Sequence, residues 1–318
     1  MGCTMKKYAI GMLTHNRWKF TKQSLYSLYY NAQPKDDYDL YIIDSSDDHG
    51  DAASLEAFVK SNLLPVKNVF YVPSELNIAQ KANLFLCFAA KMGYEYMVKM
   101  DNDVVLKGAL SGNLPAAGRN ITNGGWTLPI GRGGEPAGGP PITGMGAAHN
   151  IKSREKSKPH NRFLDHMAQF SKEFSVPMVS LVPVTPGQSF SSMWESVVQA
   201  SFKGQPFLFG SLMMLSKECQ KTIGFFNEFL PRQVDIEISQ RLLRSGHNIG
   251  YHPFFHMVHI GATQSTETPA VLDKKYEESK RLQNLNPLEG FVDTMWSKSI
   301  NLIIRRMNAN KFITIEDD

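Results

Sequence analysis

The chain has 318 residues, 42% of them hydrophobic, and a formal net charge of +4. That length and apolar content suffice for one large α/β domain or two modest ones with a buried core, and the mild basicity suits an anionic donor or acceptor while falling short of a dedicated nucleic-acid binder. Cys3, Cys87 and Cys219 are too scattered for a disulfide framework or a Cys-x-x-Cys metal site, and no apolar run reaches the roughly 18 to 20 residues that span a bilayer. Residues 1–7 lack the apolar core of a signal peptide, and Lys6 stands where a myristoylation pattern wants Ser or Thr. The expectation is a soluble, cytoplasmic protein without a membrane span.

Residues 7–13 form an apolar strand broken at Thr14-His15-Asn16-Arg17, and Phe20, Leu25, Leu28 and Tyr29 continue with helical spacing. A second strand, 38–44, ends at Asp44 in the polar turn Ser45-Ser46-Asp47-Asp48, before a helix over 52–61. A third strand covers 69–72, a helix 77–92, and a fourth strand 96–100, which runs straight into Asp101-Asn102-Asp103. Strands alternating with helices predict a mostly parallel sheet covered on both faces, and such sheets bind ligands beyond the carboxyl ends of their strands, where Asp44 and Asp101 fall.

Residues 108–206 change character. Gly124-Gly125, Gly131, Gly133-Gly134, Gly138-Gly139-Pro140-Pro141 and Gly144 predict a long loop, a candidate lid or acceptor contact. Lys152, Arg154, Lys156, Lys158 and Arg162 follow, offset by Glu155 alone. This run suits either a solvated loop or a grip on phosphates, with Trp126 and Phe163 as rings for stacking on a sugar or base. Regular structure resumes with a strand over 207–215, a helix over 217–223, and an amphipathic helix over 235–245 closed by Gly246. Helical segments, the best of them 292–307, end the chain.

Asp101 and Asp103 at a strand end can face one cation, and hard oxygen ligands suit Mn2+ or Mg2+ on a diphosphate. Taken alone, the same pattern is also a solvated acidic turn. The order of features over 7–106 and 207–265 resembles the family 2 type of inverting glycosyltransferase with the GT-A fold. Thr14-His15-Asn16-Arg17 is similar to that family's Thr-x-Asn-Arg turn, Asp44 to its nucleoside-binding aspartate, and Asp101-Asn102-Asp103 to its metal motif. Asn77-Ile78-Ala79 with Lys81-Ala82-Asn83 is similar to its Asn-x-Gly and Ala-Arg-Asn pieces, with Ala79 replacing the glycine. Further on, Phe209-Gly210-Ser211, Ile223-Gly224-Phe225-Phe226-Asn227-Glu228 and Val234-Asp235-Ile236-Glu237 resemble its acceptor strand, its Gly-Gly-Phe-Asp-Glu turn and its Glu-Asp-x-Asp helix start.

The resemblance implies a GT-A α/β fold with a nucleotide-sugar-binding half at 1–107, an insert at 108–206, an acceptor-binding and catalytic half at 207–265 and a helical extension at 266–318. It implies a nucleoside-diphosphate sugar donor, uridine-linked, held by Thr14, Asn16, Arg17, Asp44, Asn77, Lys81, Asn83 and Asn102. Asp101 and Asp103 would hold Mn2+ or Mg2+, with His259 completing the metal shell or serving as a core residue, and His256 offering a second imidazole. Asp235 would deprotonate the acceptor hydroxyl, or cap its helix, and Glu237 would assist or bond acceptor hydroxyls. The acceptor would be a glycan or nucleic acid, as in phage enzymes that glycosylate hydroxylated DNA bases in the host cytoplasm. The alternatives are a non-catalytic sugar- or nucleic-acid-binding module on the same scaffold and a sugar-nucleotide nucleotidyltransferase, whose usual glycine-rich loop after the first strand has no counterpart at 14–17.

Overall fold

The computed structural model describes residues 6–107, 162–184, 207–230 and 232–261, and beyond these 270, 271, 273–275, 277 and 278. The first apolar runs become β1 (Tyr8–Thr14), β2 (Tyr38–Asp44), β3 (Val66–Tyr71) and β4 (Tyr96–Asp101). β1 and β2 are buried at every position, as strands covered on both faces must be, whereas β3 keeps partly exposed positions. Between them lie the helices α1 (Trp18–Asn31), α2 (His49–Lys60) and α3 (Ile78–Met92). Asn77 caps α3 through a reciprocal capping box with Gln80, and Gly93, at φ +87°, ends it in the left-handed conformation.

After β4 the chain forms β5 (Val104–Lys107), α4 (Phe163–Glu173), β6 (Met178–Val184), β7 (Leu212–Ser216), α5 (Lys217–Ile223), α6 (Val234–Arg244) and β8 (Ile249–His259). Among the described residues these strands make one eight-stranded sheet in the order β3-β2-β1-β4-β7-β6-β8-β5. The first four run parallel, with Thr14 level with Asp44 and Leu13 level with Asp101. β7 is antiparallel to β4, and β5 pairs antiparallel with β8, setting Val104 opposite His259. This register brings the carboxyl ends of β1, β2 and β4 and the end of β8 to one edge.

Alternate residues feed two cores. Ile10, Met12, Val98 and Met100 pack with Leu25, Leu28, Phe58, Phe163 and Met167 from α1, α2 and α4. Leu13 and Met97 pack on the other face with Phe85, Cys219, Ile238 and Leu242 from α3, α5 and α6. Gly11 permits the second packing, since a Cβ there would stand 2.2 Å from the Phe85 ring.

Two expectations are corrected. Residues 108–206 are not irregular throughout, because α4 and β6 belong to the sheet and its first core, and Phe163 is fully buried there rather than offered to a ligand. The strand expected from 207 begins at Leu212, because the preceding backbone turns to other partners: Phe209 N donates to Tyr251 Oη at 2.9 Å and Gly210 N to Asp235 Oδ2 at 3.0 Å. Trp126, Lys152, Arg154, Lys156, Lys158 and the helix expected over 292–307 lie outside the described residues. No helix among the described residues is long and apolar enough to cross a membrane.

Candidate active site

The turn after β1 holds two consecutive non-glycine residues in the left-handed region, Asn16 at φ 50° and Arg17 at φ 61°, a conformation that persists only where the surroundings over-determine it. Here the loop after β2 does so. Asn16 N donates to Ser46 Oγ at 2.8 Å, its amide donates to Asp47 Oδ1, and its carbonyl oxygen accepts from the amides of Asp47 and Asp48. Asn16 is thus a staple between two loops. Arg17 is turned back toward the metal motif, its guanidinium 3.6 Å from Asp103 Oδ2.

Asp44 is 2% exposed. Its Oδ1 accepts from Thr14 Oγ1 at 2.6 Å, from Ser46 Oγ at 2.7 Å and from Ser46 N at 3.3 Å, whereas the buried Oδ2 has no hydrogen-bond partner. A buried carboxylate oxygen left without a donor is costly, so this atom invites an N–H or O–H from a ligand. Lys81, on the first turn of α3, reaches Ser45 Oγ at 3.0 Å. Burial lowers its pKa, against the opposing pull of Asp101.

The neighbouring amides serve the scaffold. Asn77 donates to Glu228 O at 2.8 Å besides capping α3. Asn83, fully buried, bonds Phe226 N, Phe226 O and Glu228 Oε1, clamping α3 to the 226–228 turn. The Asn102 side chain donates to Thr21 Oγ1 at 2.8 Å and its backbone carbonyl accepts from Ser24 Oγ at 2.8 Å, so both groups meet α1. Asn16, Asn77, Asn83 and Asn102, expected to contact the donor, make these internal bonds. A short amide at a loop or helix start satisfies backbone groups as readily as it meets a ligand.

Asp101 and Asp103 stand at the end of β4 and the start of β5. Asp103 Oδ1 lies 3.3 Å from His259 Nε2, and Ile260 N donates to Asp103 O at 2.9 Å. Burial works to raise the Asp103 carboxyl, but His259 and Arg17 outweigh it and hold it below the usual range. Burial works to lower the His259 imidazole, and Asp103 reverses it and raises it. Gly261 makes room, since a Cβ there would stand 2.1 Å from Asp103 Oδ2. Asp101 Oδ1 lies 2.6 Å from Lys99 Nζ, an ion pair outside hydrogen-bond alignment. Burial pushes the Asp101 carboxyl up, against Lys99.

Asp235 occupies the first turn of α6, which starts after Gln233 at φ 62°. Its Oδ2 accepts from Gly210 N at 3.0 Å and its Oδ1 from Ile236 N at 3.0 Å. Burial raises its pKa over the lowering by these amides and Lys99. Glu237 is engaged elsewhere: Arg241 Nε and Nη2 clasp its two oxygens at 2.8 and 2.7 Å, and the same guanidinium bonds Ile223 O and Phe225 O. Its carboxylate, through Arg241, ties α6 to the turn after α5. Arg162 is likewise paired, with Asp165 at 2.6 Å and Asp37 at 3.6 Å.

Sequence reasoning missed Lys99, which is 3% exposed. A charged residue inside the apolar run Tyr96–Met100, two positions before Asp101 and hence on the same face of the strand, was the available signal.

A scan against protein-family models finds no match, nor does a sequence comparison with curated proteins. Solved structures do match. A mannosyltransferase from Pyrobaculum calidifontis, PcManGT, in complex with GDP-Man and Mn2+, aligns with a TM-score of 0.51 at 12% identity over 97% of this chain and 77% of its own. TarS 1-349 from S. aureus, in complex with UDP-GlcNAc, aligns with a TM-score of 0.50 at 13% identity over 89% of this chain and 67% of its own. The fold is of the GT-A type. On this GT-A scaffold the donor set beside β4 is two carboxylates and one imidazole, which suits Mn2+ or Mg2+. Among the described residues no group of three or more His, Cys, Asp or Glu side chains is arranged to hold a metal ion. The two carboxylates are of the type that a hard cation takes when substrate phosphates and water complete its shell.

Proposed function

We propose that the chain is a metal-dependent inverting glycosyltransferase that moves a sugar from a uridine diphosphate donor to an acceptor hydroxyl. The orphan Oδ2 of Asp44 supports the choice of nucleoside: one buried acceptor with its partner oxygen already saturated matches a base edge that presents a single N–H, as uracil does. Thr14 and Ser46 fix that carboxylate, and Lys81 brings positive charge toward the donor. Asp101 and Asp103 would hold the metal, with His259 at its side. When bound, the ion neutralises charge developing on the departing diphosphate.

The observation that carries the reading is the setting of Asp235, a carboxylate at a helix start held by the Gly210 and Ile236 amides, whose pKa burial raises. Asp235 takes the proton of the acceptor hydroxyl. The acceptor oxygen forms its bond to the anomeric carbon from the face opposite the diphosphate. The anomeric C–O bond to the diphosphate breaks with its electron pair on the leaving group, which inverts the configuration. The test is donor turnover by Asp235→Asn, with water taking the acceptor's place and the first sugar anomer read by NMR. The reading expects loss of turnover and an inverted product from the native protein; a retained configuration contradicts it.

The acceptor is a glycan hydroxyl or a hydroxylated DNA base. The DNA version predicts duplex binding that weakens with salt and with joint neutralisation of Lys152, Arg154, Lys156 and Lys158. Binding that is absent or insensitive to salt removes that acceptor.

A further inference from the structure

Lys99 joins the two halves of the site. Its ammonium lies 2.6 Å from Asp101 Oδ1 and donates to Gly210 O at 2.5 Å. The same glycine presents its amide to Asp235 Oδ2 at 3.0 Å, and Asp101 N donates to Ser211 O at 2.8 Å. The approach is close enough that a Cβ on Gly210 would stand 2.9 Å from Asp235 Cβ. A chain of contacts thus runs from Asp101 to Asp235, through one lysine and one glycine.

We propose that Lys99 is a positioning residue that fixes Asp235 relative to Asp101, so that the acceptor hydroxyl and the departing diphosphate meet in line. The inference rests on the function proposed above. The two contacts of the ammonium tie the end of β4 at Asp101 to Gly210, the residue whose amide holds Asp235. Restraint of this kind matters because in-line displacement depends on the reacting groups being held within a fraction of an ångström.

The test is Lys99→Met, compared with the native protein and Asp235→Asn in the same assays. Turnover of the UDP-sugar donor should fall about a hundredfold in kcat, the size expected for a displaced catalytic group, with UDP affinity close to native. Removing a positive charge beside Asp101 should leave Mn2+ binding, followed by electron paramagnetic resonance of the free ion, as tight as native or tighter. The acid limb of the rate profile should move up, since Lys99 helps keep Asp235 ionised. Native kcat with an unshifted limb overturns the proposal, and so does joint loss of turnover and Mn2+ binding in a folded protein. If Lys99→Met does not fold, Lys99→Ala, which likewise removes the donor to Gly210 O, is held to the same outcomes. Turnover retained by Asp235→Asn contradicts the proposed function itself; turnover lost there but native in the Lys99 variant contradicts only the positioning role.

Discussion

Asp235 and Glu237 stand two residues apart on the first turn of α6 and have different partners. Because burial raises the Asp235 pKa, its charged form is disfavoured in the folded protein. The stability associated with this group is full below the unfolded value of about 3.9 and is lost as pH rises through the higher folded value. Asp235→Asn should therefore lose turnover by about a hundredfold or more, while its melting temperature rises relative to native between acid and neutral pH. A difference that shrinks with pH would contradict the sign. Glu237→Ala should behave in the opposite way. It leaves Arg241 without its carboxylate in a buried setting and should cost about 3–5 kcal/mol in chemical denaturation, with native turnover per folded molecule. Full stability with lost turnover would return Glu237 to catalysis.

At the level of elements, β1, β2 and β4 were legible because each is a mostly apolar run, broken only by Asp39 in β2 and Lys99 in β4, that stops at a polar residue, and α3 because Asn77 and Gly93 mark its ends. α4 and β6 were not, since they lie in a window whose glycine clusters dominate its composition. β6 also carries Pro183, beside a register shift between Leu181 and Val182, and proline in a run argues against a central strand unless a bulge accommodates it. The amide of Asn83 could be read as a ligand contact from sequence, because its partners at 226 and 228 are remote in the chain. Asn83→Ala should leave the Phe226 amide and carbonyl without partners and lower stability by on the order of 2–3 kcal/mol, read from urea unfolding. An unchanged midpoint would show that the clamp contributes nothing.

Over the whole molecule, the sheet order assembles the site from strand ends that the sequence shows one at a time. Asp44 and Asp101 stood out in the sequence because each terminates its own strand, and Asp235 because its helix start resembles that of a known family. Lys99 with Gly210, Arg17 with Asp103 and His259 with Asp103 are pairings across the sheet that no local pattern encodes. Under the proposed function, that convergence would make nucleotide binding dependent on Asp101 and Asp103. Calorimetric titration of UDP in the presence of Mn2+, repeated with a chelator and with Asp103→Asn, tests this most directly. The account predicts saturable binding with Mn2+ that weakens by about tenfold or more without the ion or the carboxylate; equal affinity in all three conditions, or no binding with Mn2+ present, would contradict it.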